Sequence, residues 1–182
     1  MNQNFTHILS FNYTNTFQKL YDPDCKANYC YIHGEVDSSS NLEKCNLVLG
    51  IEEYQDDLHK DSANFFVWFK KFYQRIYKGT SSDYIDWLRD YEEYCKMVSG
   101  NIDSLNEVYI YGHSLDVTDR DILSRLILEP YTSTYIYYYS RSDLSKKIEN
   151  LVKVIGEEEL ISRTGGNKRT IRFVNAAEPV IK

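Results

Sequence analysis

The chain has 182 residues, with 21 Lys and Arg against 27 Asp and Glu, a formal net charge of −6, and a pI of about 5.2. That balance excludes general nucleic-acid binding. Apolar residues at 42% and charged residues at 26% exclude a disordered chain, and this length can bury roughly 70% of the unfolded surface in one core. No stretch reaches the roughly 18 apolar residues of a membrane-spanning helix, and the N-terminus lacks a basic and then apolar signal, so a cytoplasmic protein without a membrane partner is predicted. The cysteines Cys25, Cys30, Cys45 and Cys95 form no Cys-x-x-Cys pair, which predicts reduced thiols with neither disulfide nor zinc.

His7-Ile-Leu-Ser-Phe-Asn12 is an apolar run too short for a helix, and it leads into Asn12-Tyr-Thr-Asn-Thr16, where Thr14 or Asn15 can cap a helix. Strand, tight turn and helix are expected in that order, with strand residues 7 to 12. Two more strands are predicted at 29 to 33 and 46 to 50, each ended by a glycine, Gly34 or Gly50. Asp37-Ser-Ser-Ser-Asn41 reads as an exposed loop between them. From Phe65 to Lys78 the aromatics and Ile at 65, 69, 72, 73 and 76 form a helical stripe expected to face inward. Lys70, Lys71, Gln74 and Lys78 are left for solvent, and Gly79 is the stop. Asp83 to Val98 is a second, acidic helix closed by Gly100 and expected to be the most exposed of the long helices.

A strand at 107 to 111 runs into Gly112-His-Ser-Leu-Asp116. Thr118-Asp-Arg-Asp121 resembles a capping box opening a helix with Ile122, Leu123, Leu126 and Ile127 inward, although Asp116 and Thr118 read as capping residues and not as ligand contacts. A strand at 134 to 139, a helix from Asp143 to Ile155, a short helix from Glu157 to Thr164 and a strand at 170 to 174 complete the chain. Strands alternating with helices predict one α/β domain over residues 1–182, three-layer and Rossmann-like, with a mainly parallel sheet and helices on both faces. Ligands of such sheets bind beyond the C-terminal strand ends. The turns at Asn12, His33, Gly50 and Gly112 therefore mark the expected rim.

Gly112 to Asp116 invites comparison with a G-x-S-x-G nucleophile elbow, but its fifth residue is Asp116 and no histidine follows His113, so a triad on Ser114 is not expected. Asn12 can orient water or a ribose hydroxyl, and His33 can accept a proton, although a single strand-end His is more often structural. The spacing around His59 fits neither H-E-x-x-H nor a facial triad, so no metal site is predicted and Glu52 to His59 reads as a solvated acidic loop. Gly165-Gly-Asn-Lys-Arg169 lacks phosphate-loop spacing and reads as a turn.

Phe11-Asn-Tyr-Thr14, Ile32-His-Gly34, Leu49-Gly-Ile-Glu-Glu53, Phe69 to Tyr77 and Tyr111-Gly-His-Ser-Leu-Asp116 followed by Asp119 resemble, in this order, the bacteriophage abortive-infection AbiH family. A more distant resemblance is to the sirtuin-like NAD-binding superfamily, which implies Asn12 and His33 as catalytic residues and Gly112 and Ser114 as contacts to the adenosine side of NAD. These four would then lie within about 10 Å of one another around one ribose. Thr14 stands where sirtuins have Asp, the sirtuin zinc cysteines have no counterpart, and the Gly-rich phosphate loop expected before the first strand is missing from the chain. It is either the C-terminal part of a longer protein or a shortened family member. The resemblance implies a phage-defence protein with no tightly bound cofactor, with NAD as substrate and with glycohydrolase activity assigned to a longer form. The alternative is a non-catalytic module that senses a phage-derived or host protein trigger through its tyrosines.

Overall fold

The computed structural model describes residues 5–36, 45–50, 67–98 and 106–177. The predicted loop at 37 to 41, the acidic segment at 52 to 59, the helix start at 65 and the Gly100 stop lie outside these residues. The chain divides into two compact units, Met1–Glu92 and Glu93–Lys182. The protein is mixed α/β, and every strand pairing among the described residues is parallel, as a Rossmann-like arrangement requires.

In the first unit, β1 (His7–Ser10) is followed by α1 (Thr16–Tyr21) and by β2 (Asn28–Tyr31), which lies parallel to β1 with Ser10 opposite Tyr31. Neither candidate caps α1 as expected, because Asn15 at its N-cap accepts no side-chain bond and the Thr14 hydroxyl meets that of Thr16 at 2.9 Å. A 3-10 turn at Val67–Phe69, then α2 (Lys71–Lys78) and α3 (Tyr84–Met97) follow. Gly79 adopts the left-handed conformation that ends α2. As expected, α3 is the most exposed of the long helices, burying only Tyr84 among its 14 residues where the 15-residue helix Arg141–Ile155 buries three.

Two expectations for this unit fail for one reason. Residues 46 to 50 form no strand. Val48 N–H donates to the His33 carbonyl, but the Leu47, Val48 and Leu49 carbonyls and the Leu49 N–H are met by side chains. Leu49 N–H donates to Gln74 Oε1 at 3.0 Å and Gln74 Nε2 donates to the Leu49 carbonyl at 2.9 Å, Lys78 Nζ donates to the Leu47 carbonyl, and the Tyr13 hydroxyl donates to the Val48 carbonyl at 2.8 Å. Because α2 supplies Gln74 and Lys78 to this backbone, it turns polar positions toward the segment. Arg75 is buried, while Phe69, Phe72 and Ile76 of the expected inward stripe are exposed. The need to satisfy unladdered backbone groups overrides the apolar period.

In the second unit, β3 (Asn106–Ile110), α4 (Arg120–Leu128), β4 (Thr132–Tyr138), α5 (Arg141–Ile155), α6 (Glu157–Thr164) and β5 (Ile171–Asn175) follow in order. The sheet order is β3-β4-β5, so the strands among the described residues make two sheets where one was expected. Helices α4 and α5 lie against β4, and α6 lies against β5. Ile136 of the central strand is fully buried, as are Ile122, Ile127 and Leu151, and each such side chain contributes about 2 kcal/mol. Thr118 is not the N-cap, since Asp119 holds that position before α4. Asp116 caps the 3-10 turn at Val117–Asp119 that precedes α4, its carboxylate accepting from Thr118 N–H. Ser140 caps α5 by accepting from Asp143 N–H at 3.1 Å, and Arg163 closes the other end of α4 by donating to the Ile127 and Leu128 carbonyls at 3.3 Å.

Candidate functional site

Asn12 and His33 each lie two residues beyond the ends of paired parallel strands, since Ser10 and Tyr31 are register partners. The structure therefore brings their turns together in the first unit. Ile32 N–H donates to the Ser10 carbonyl at 3.1 Å and Val36 N–H to the Tyr13 carbonyl at 2.8 Å, which ties the two turns along their length. Asn12 is exposed, and its backbone N–H is held by Ser10 Oγ at 3.3 Å. His33 is 3% exposed. Its ring meets Phe11 edge-on at 5.5 Å and Tyr13 at 6.4 Å between centroids, so the two neighbours of Asn12 cover the imidazole. Gly34 has a φ of +81°, and a Cβ there would lie 2.4 Å from the Asn46 carbonyl oxygen. Only glycine fits.

Gly112 and Ser114 lie in the second unit, in the turn beyond β3, and both are exposed. Gly112 is left-handed at φ +65° with open space where a Cβ would stand. Leu115 is also left-handed, at φ +60°, yet its side chain is fully buried, so local interactions must hold it there. Leu115 N–H donates to His113 Nδ1 at 2.9 Å. That bond requires a bare Nδ1 and puts the ring proton of the neutral imidazole on Nε2, 3.6 Å from Asp119 Oδ2. With one nitrogen bonded to the backbone and the other facing a carboxylate, His113 serves the turn.

Sequence reasoning missed Lys147 and Asn150. Lys147 Nζ donates to the His113 carbonyl at 2.5 Å and lies 3.4 Å from Asp143 Oδ1. Asn150 Nδ2 donates to the Ser114 carbonyl at 2.9 Å. A signal was present in the helical period, because Lys147 falls on the stripe of Leu144, Leu151 and Val154, where a lysine needs a buried partner.

A ladder of tyrosines crosses the same sheet. Tyr109 stacks on its register partner Tyr135 at 4.9 Å, and Tyr111 stacks on Tyr137 at 3.9 Å. Glu107 accepts from the Tyr109 and Tyr135 hydroxyls at 2.7 and 3.2 Å, and the Arg172 guanidinium lies 5.4 Å from the centre of the Tyr135 ring. Burial, then hydrogen bonding and neighbouring negative charge, push the Tyr109 phenol well above its ordinary range. These tyrosines therefore pack on one another and serve as neutral donors within the sheet.

All four cysteines are free thiols. Among the described residues no group of three His, Cys, Asp or Glu side chains is placed to hold a metal ion, and no helix is long and apolar enough to cross a membrane. No curated protein and no solved structure matches the chain. One family model does, that of bacteriophage abortive infection AbiH, over residues 1–140. This span takes in both strand-end turns of the first unit and the Gly112–Asp116 turn of the second, and the chain belongs to the AbiH family of bacteriophage abortive infection proteins.

Proposed function

We propose that the protein acts in abortive infection by handling a nucleotide, with NAD as substrate, at the C-terminal ends of its parallel strands. The observation that carries this reading is the placement of Asn12 and His33 at equivalent positions beyond adjacent parallel strands, where α/β sheets bind ligands. Asn12 presents an exposed amide that can orient a ribose hydroxyl or a water. His33 is covered in this conformation, so its role as base on a ribose hydroxyl, part of an N-glycosidic cleavage, requires that Phe11 and Tyr13 give access to the ring. In the second unit, the exposed Gly112 and Ser114 are the proposed contacts to an adenosine, and no tightly bound cofactor has a part in this scheme. The test is titration of NAD and ADP-ribose to millimolar concentration while the backbone amide signals are followed. Saturable shifts at Asn12 and Ser114 are expected, and their absence with both ligands overturns the reading.

A non-catalytic sensor of a phage or host protein is the second reading. The exposure of Trp68, Phe69, Ile76 and Tyr77 on and just before α2 favours it. Substitution of Trp68 and Tyr77 by alanine would then abolish the defence phenotype and leave the nucleotide-induced shifts intact.

A further inference from the structure

We propose that Lys147, assisted by Asn150, is the positioning residue of the Gly112–Ser114 turn, fixing its backbone for the nucleotide contact; the ligand half of this inference rests on the reading above. An ammonium removed from water is costly unless it is paired and hydrogen-bonded. At 3% exposure Lys147 occupies a position where an apolar residue would complete the stripe of Leu144, Leu151 and Val154. The charge is explained by what it holds. Gly112 and Leu115 are both left-handed, so the backbone between them cannot continue the β3 ladder and its carbonyls need donors from elsewhere. Lys147 and Asn150, three apart and so on one face of α5, donate to the consecutive carbonyls of His113 and Ser114. Asp143, one turn earlier on the same face, holds the ammonium. His113 Nδ1 and Asp116 Oδ1 then take the N–H groups of Leu115 and Thr118. Lys147 bonds the backbone carbonyl of His113 and pairs with Asp143, so it acts on Gly112 and Ser114 through the chain between them.

The experiment is amide hydrogen exchange on the whole chain carrying Lys147→Met, first without ligand and then with ADP-ribose. Without ligand, the Leu115 and Thr118 amides should exchange ~10-fold faster or more, while β4 amides and the thermal midpoint hold or improve, because an apolar side chain of similar length suits the stripe. Unchanged exchange at Leu115 and Thr118 overturns the proposal, and so does a uniform rise across the second unit, which would mean a purely stabilising lysine. Should Lys147→Met fail to fold, Asn150→Ala is read by the same local criterion at Leu115. If the turn loosens in the variant but ADP-ribose shifts no amide of the unaltered chain, the nucleotide reading falls and the positioning role stands. If ADP-ribose shifts both chains equally, the positioning role toward ligand falls.

Discussion

Gly34 and Gly79 separate the two reasons for a glycine. Both have positive φ, but a Cβ at Gly34 would lie 2.4 Å from a backbone oxygen, whereas nothing lies within 4 Å of one at Gly79. Gly79→Ala should therefore cost about 1 kcal/mol in urea denaturation, the left-handed penalty alone. Gly34→Ala adds a backbone clash and should cost on the order of 3 kcal/mol, with loss of the Asn12 turn. Equal losses would show that the approach of Asn46 is unimportant. Thiol reactivity belongs to this scale as well. Cys30 is buried beside Ser81, whose hydroxyl lies 3.3 Å from its sulfur, and burial raises its pKa. Cys25 and Cys45 are exposed. Alkylation should label Cys25 and Cys45 in the folded protein and reach Cys30 only on unfolding; rapid labelling of Cys30 would contradict its placement.

Between α1 and β2 the Asp22 carboxylate accepts from Lys26 N–H, Ala27 N–H and the Tyr29 hydroxyl, each at 3.0 Å. These bonds, led by that from Ala27, hold its pKa below the ordinary value. For an acid depressed on folding, the stabilising contribution is complete above the unfolded pKa and is lost as pH falls through the folded one. Asp22→Asn should therefore lower the thermal midpoint most above about pH 4, and the difference should shrink below it. A difference that grows on acidification would refute this. At the centre of the other sheet, Ile136 of β4 is fully buried between β3 and β5. Ile136→Ala should cost about 2–5 kcal/mol in chemical denaturation, whereas a loss under 1 kcal/mol would mean that the strand is not central to the core.

For the whole molecule, a net charge of −6 leaves no excess of cations to displace counterions from a polyanion. A mobility-shift assay with random duplex DNA near physiological salt should show no complex; a salt-sensitive complex would reveal a basic surface hidden in the total. The element order was legible in the chain because helix and strand periods and glycine stops are local. Gly79 and Gly156 end helices as read, Asp116 caps as one reading had it, and the turns at Asn12, His33 and Gly112 follow strands as the same patterns expect, although β1 and β2 end at Ser10 and Tyr31, two residues earlier than read. Whether 46 to 50 joins a ladder was decided elsewhere, by Gln74 and Lys78 more than twenty residues away along the chain. The covering of His33 by Phe11 and Tyr13 and the capture of the His113 and Ser114 carbonyls by α5 were settled in the same way. Periodicity reports which residues avoid water, but every backbone group outside a ladder or helix must also find a polar partner. Which side chain supplies that partner depends on distances in space, and only the folded chain sets those.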